Sequence, residues 1–104
     1  MKSSGAFLLF FFLLLAAHAR AEPIPDYILN KDLETCRAQV SKAPNGTPEQ
    51  KEKYCLCIRN NLARTWDLDA YGRYVIGHVF GRDNSEEDGK MKEMAKECMA
   101  ASAQ

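Results

Sequence analysis

Apolar positions fall into separate blocks along this chain, and their spacing changes character after the first block. From Ala6 to Ala17 they run without interruption, behind a charged Lys2 and ahead of Ala19-Arg20-Ala21. A charged start, an apolar run and a small-x-small end together describe a secretory signal peptide, cleaved after Ala21. The run is shorter than the roughly 20 residues a membrane-spanning helix needs, so 1–21 is expected to be a leader and not an anchor. Residues 22–104 are then expected to form a single domain.

Within that domain the period becomes helical. Glu22-Pro23-Ile24-Pro25 is expected to be extended, because each proline turns the preceding residue away from the α region. Leu29, Leu33, Cys36 and Val40 then recur at spacings of four, three and four, which predicts an amphipathic helix ending near Lys42. Ala43-Pro44-Asn45-Gly46 breaks it. Thr47 with Pro48 behind it and Gln50 three residues on is a capping box with proline at the first helical position, so a second helix is predicted from Pro48 to about Thr65. Its apolar stripe is Tyr54, Cys55, Ile58 and Leu62. Asp67 is placed to cap a third helix, with Leu68, Tyr71, Val75 and Val79 as its core stripe, Ile76 and Phe80 widening it, and Gly81 ending it. Gly72 and Gly77 weaken that helix by up to about 1 kcal/mol each relative to alanine, so they are read as points of close approach. Ser85 is predicted to cap a fourth helix. Glu86, Glu87 and Asp88 suit its N-terminal turn, and Met91, Met94, Ala95 and Cys98 form its buried stripe. The fold class is all-α, a small bundle of four short helices.

The chain has 104 residues, with 14 basic and 14 acidic side chains. Lys2 and Arg20 belong to the leader, so the domain is mildly acidic and offers no basic footprint for nucleic acid. A domain this small buries a limited core and often needs covalent support. All four cysteines lie in it, an even number behind an export signal, which predicts two disulfides among Cys36, Cys55, Cys57 and Cys98.

At 3.6 residues per turn, Cys55 and Cys57 point roughly 160° apart on the second helix. A bond between them would require the helix to open. One should therefore reach Cys36 and the other Cys98. Cys55 sits on the core stripe and Cys57 on its flank; both pairings are open, with Cys36 to Cys57 and Cys55 to Cys98 slightly preferred.

Other chemistry finds less support in the residues. A thiol oxidoreductase more typically places Cys-x-x-Cys at a helix N-terminus, whereas here the spacing differs and Cys55 lies well inside a helix. A copper or zinc site using Cys55 and Cys57 with His78, Met91, Met94 or Met99 suits soft ligands, but methionines at this spacing also suit a core. A small enzyme would need a pocket near Trp66, Tyr71 and His78. Ser41, Ser85 and Ser102 have no glycine-rich elbow, and Asp67 and Asp69 are explained by a helix start, so no catalytic activity and no cofactor are expected. Trp66, Tyr71, Tyr74 and His78 form the candidate binding surface, since Tyr71 and Tyr74 cannot both lie fully on the Val75 and Val79 stripe.

Cys36, the segment Tyr54-Cys55-Leu56-Cys57, Leu62 and Cys98 together give a pattern that resembles small secreted bacterial proteins of uncharacterised function. The resemblance implies a helical, disulfide-bonded periplasmic protein and carries over no catalytic residues. Plant lipid-transfer proteins also carry a Cys-x-Cys with an apolar middle residue, but they have twice as many cysteines and an adjacent Cys-Cys pair, which this chain lacks. The expectation is a noncatalytic, monomeric secreted or periplasmic protein that binds an envelope protein or a small ligand.

Overall fold

The computed structural model describes residues 22–104, so the expected leader over 1–21 lies outside the described residues. Four helices follow in order: α1 (Asp26–Ser41), α2 (Pro48–Thr65), α3 (Leu68–Phe80) and α4 (Ser85–Ser102). The fold is the expected all-α bundle stapled by two disulfides. No described helix is long and apolar enough to cross a membrane.

α2 is the central element, packed on α1 on one side and on α4 on the other, while α3 meets the bundle chiefly through α4. Its start is fixed locally. The Gln50 amide donates to Thr47 Oγ1 at 3.1 Å, and the Thr47 amide donates back to Gln50 Oε1 at 3.0 Å. Two orphan donors are thereby satisfied at the first turn. From there the helical period carries Cys55, Ile58 and Leu62 into the interior, and all three are buried. Ile58 and Leu62 join Leu29 of α1, Met94 and Cys98 of α4, and Trp66 at the α2–α3 corner. Ion pairing between Arg37 and Glu52, with Arg37 Nε donating to Glu52 Oε2 at 3.0 Å, and a bond from Arg59 Nη2 to Asn30 Oδ1 at 3.1 Å hold α1 to α2 at the surface.

Each cysteine on α2 meets the helix nearest to it. The bonds are Cys36–Cys55 and Cys57–Cys98, which reverses the slightly preferred pairing. Two causes are visible. Cys55 lies closer to the α1–α2 turn than Cys57, by about 3 Å along the axis at 1.5 Å per residue, and this brings it level with Cys36. The opposite directions of the two side chains then leave Cys57 for α4. Asn61 covers that second bond, its Nδ2 donating to the Cys57 carbonyl at 2.9 Å and lying 3.4 Å from both Cys57 Sγ and Cys98 Sγ.

The segment 22–25 is extended, as its prolines require, but it is also docked. Pro23 bridges Asp67, the Leu68 amide donates to the Glu22 carbonyl at 2.8 Å, and Ile24 is buried in the core. The fourth helix also departs from its expected start. Asn84, not Ser85, occupies the cap position and makes no side-chain cap bond. Its side chain is committed elsewhere: Nδ2 donates to the Tyr74 carbonyl at 3.1 Å. The Ser85 amide is satisfied instead by Asp83 Oδ1 at 3.1 Å.

Candidate functional site

α3 is apolar around most of its circumference, and its rotation decides which side chains meet solvent. Asp67 accepts from the Ala70 amide at 2.7 Å and sets the start; Gly81, in the left-handed conformation at φ 66°, sets the end. Three contacts fix the rotation between them. Tyr71 donates its hydroxyl to Asp32 Oδ1 of α1 at 3.2 Å. Arg73 pairs with Glu87 of α4 at 2.7 Å. Gly77 is buried beneath Asn84, whose side chain lies 2.5 Å from where a β-carbon on Gly77 would stand. Gly77 is therefore the close-approach glycine the sequence suggests, whereas Gly72 faces open space.

This rotation turns Ala70, Tyr71 and Tyr74 toward the core. It leaves Val75, Ile76, Val79 and Phe80 exposed, at 37%, 44%, 68% and 70%. The core stripe expected from Val75 and Val79, widened by Ile76 and Phe80, is thus corrected: tyrosines and small residues line the inner arc, and the aliphatic arc faces out. The apolar period of α3 favours the aliphatic arc, but the contacts made by Tyr71, Arg73 and Gly77 on the rest of the helix turn that arc outward. Spacings of three and four place the four exposed side chains in one patch, on the order of a few hundred Å², the scale at which apolar patches on monomers tend to be functional.

The residues singled out from sequence are only partly brought together. Trp66 is buried; Tyr71 and Tyr74 are half-buried; His78 is exposed. Trp66 and Tyr74 meet edge to face at 5.9 Å between ring centres, and Tyr74 and His78 likewise at 4.5 Å. His78 Nε2 lies 3.8 Å from Asp88 Oδ1, and Asp88 is also paired with Lys92 at 3.0 Å. Trp66, Tyr71 and His78 share no cleft. Trp66 lines an open groove of about 460 Å³ with Asn61 and Met94, and Tyr71 a smaller one of about 210 Å³ with Tyr27 and Asp32. A third groove, about 450 Å³, lies between the α1–α2 turn and the end of α4, against Val40, Tyr54 and Met99.

The Tyr71–Asp32 bond is the most perturbed titrating pair. Burial pushes the Asp32 carboxyl above its ordinary value, opposed by the Tyr71 hydroxyl that donates to it. Burial, and then the negative charge of Asp32, pushes the Tyr71 hydroxyl up to about 12. Such a pair ties α1 to α3 in the half-buried region between them. All four cysteines are oxidised, so Cys55 and Cys57 present no thiolate in this state. Among the described residues no three His, Cys, Asp or Glu side chains gather as a metal-binding group.

The candidate surface that the sequence pattern assigns to the core is the outer face of α3. Its signal is the width of the apolar stripe, more than one buried face requires. Comparison of the chain with protein-family models, curated proteins and solved structures finds no match, so the reading of this surface rests on its own chemistry.

Proposed function

We propose that this protein is a noncatalytic, disulfide-stapled module of the periplasm or the secreted space, and that it binds another protein through the outer face of α3. The observation that carries the proposal is the row Val75, Ile76, Val79 and Phe80, held in solvent on a helix whose other side is fastened by Tyr71, Arg73 and Gly77. Full burial of such side chains is worth roughly 1.5–3 kcal/mol each. At their present exposure, covering them would contribute about 1 kcal/mol apiece. The export signal read in 1–21 and the oxidised cysteines support a compartment outside the reducing cytoplasm.

A photo-crosslinking amino acid at position 76, compared with one at exposed Lys96 of α4, tests the reading in the exported protein. A discrete protein adduct from position 76 and none from position 96 is the expected result. Equal, diffuse labelling from both positions would refute a dedicated surface.

A further inference from the structure

We propose that Asn45-Gly46, in the turn between α1 and α2, is a site of spontaneous deamidation, where the chain converts its own side-chain amide to a carboxylate as the protein ages. The site lies at the end of the bundle away from the α2–α3 corner, and it does not depend on the reading of α3.

The reaction asks for a side-chain amide that is free to turn, a following backbone nitrogen that no acceptor holds, and little bulk on that next residue. Asn45 and Gly46 are both exposed, in a bend between the two helices. Neither the Asn45 side chain nor the Gly46 amide makes a hydrogen bond among the described residues. Gly46 carries no β-carbon to hinder ring closure, and its φ of 94° is one that glycine adopts readily. The other described asparagines each fail a requirement. Asn30, Asn60 and Asn61 lie inside α1 and α2, where the amide that follows each is held in the helical ladder. Asn84, with the small Ser85 behind it, is the next candidate by sequence. Its Nδ2 donates to the Tyr74 carbonyl at 3.1 Å, and the Ser85 amide donates to Asp83 Oδ1 at 3.1 Å. The fold therefore holds both reacting groups at Asn84-Ser85 and neither at Asn45-Gly46.

In the step itself the Gly46 backbone nitrogen gives its proton to hydroxide and attacks Asn45 Cγ. The new C–N bond closes a five-membered succinimide as the Cγ–Nδ2 bond breaks and ammonia leaves. Water then opens the ring at either carbonyl, giving aspartate or isoaspartate with no change of oxidation state. Both products carry a carboxylate into the groove of about 450 Å³ that Asn45 and Gly46 help to line, where Lys51 is the one ionised side chain among the lining residues. Isoaspartate also adds a methylene to the backbone just ahead of the Thr47–Gln50 capping box. Ageing thus alters the charge of this groove and the length of its turn.

Peptide mapping by mass spectrometry provides the test, on the oxidised, exported protein held for days at mildly alkaline pH beside the same protein reduced and unfolded in guanidinium. In the folded protein the peptide containing Asn45 should gain one mass unit, as a mixture of aspartate and isoaspartate, with ammonia released in step. The peptide containing Asn84 should stay unchanged there and begin to convert only in guanidinium. Asn45→Gln, which would have to close a larger ring, should lose the signal while circular dichroism shows the fold intact, since position 45 is exposed. Conversion of Asn45 in guanidinium but not in the folded protein would overturn the proposal. Conversion of Asn84 as fast as Asn45 in the folded protein would overturn the selection by the fold on which it rests.

Discussion

Removing the Cys57–Cys98 bond should unravel more of this protein than removing Cys36–Cys55. The bonds join residues 41 and 19 apart in sequence. Loop-closure entropy at those lengths corresponds to about 4 and about 3 kcal/mol of constraint on the unfolded chain. Each pair contains one fully buried sulfur, Cys98 or Cys55, so the cavity left by alanine is similar in the two cases and largely cancels in the comparison. The remaining difference comes from what each bond holds. α1 keeps its Arg37–Glu52, Arg59–Asn30 and Asp32–Tyr71 contacts when its disulfide is lost. α4 has fewer substitutes, and α3 depends on α4 for its place. A domain of this length has a total stability of only about 4–12 kcal/mol, so loss of the longer-range bond should consume much of it. Urea unfolding followed by far-ultraviolet circular dichroism would compare the oxidised protein with the Cys57→Ala/Cys98→Ala and Cys36→Ala/Cys55→Ala variants. The first variant should lose about 4 kcal/mol and the second about 3. A loss below about 1 kcal/mol for the first, or a larger loss for the second, would refute the reasoning.

Gly77→Ala would drive a methyl group into Asn84, displacing it from the Tyr74 carbonyl; a loss of about 1–3 kcal/mol is expected in the same unfolding assay, against a gain if Asn84 moved aside freely. Tyr71 keeps its proton in the folded state up to about 12, above its ordinary value of 10.0. Its contribution is therefore fully present below pH 10 and is lost as the pH rises from 10 through about 12. Tyr71→Phe should shrink the stability loss across that window, measured by denaturation at fixed pH values; an unchanged loss would place the titrating group elsewhere.

Much of this architecture can be read from short stretches. Thr47-Pro48 with Gln50 sets the start of α2, Asp67 and Gly81 bound α3, and the 160° between Cys55 and Cys57 requires two different partners for them. Local signals suffice there because the stabilising contacts span only a few residues. The pairing of the cysteines depends on which helix lies on which flank of α2, a long-range property with no local mark. Asn84 shows the same limit: a good N-cap residue by type, its side chain is taken by the Tyr74 carbonyl of another helix, in the space that Gly77 leaves. The outer face of α3 departs from its sequence pattern for a related reason. Val75 and Val79 have the spacing of a core stripe, and the Tyr71–Asp32 bond, the Arg73–Glu87 pair and the contact at Gly77 turn them outward. Docking of Ile24 against the bundle likewise follows from tertiary packing that Glu22-Pro23-Ile24-Pro25 does not announce.

Whether the outer face of α3 is covered when the protein is at work can be measured by carbene footprinting, which labels side chains of every type according to their access to solvent. The purified, oxidised protein at high dilution should be labelled strongly at Ile76, Val79 and Phe80. In the protein's own compartment the same residues should be protected, while exposed Tyr27 on α1, at 75%, keeps its labelling. Equal labelling of the α3 residues in the two settings would contradict the assignment of that face as a contact surface.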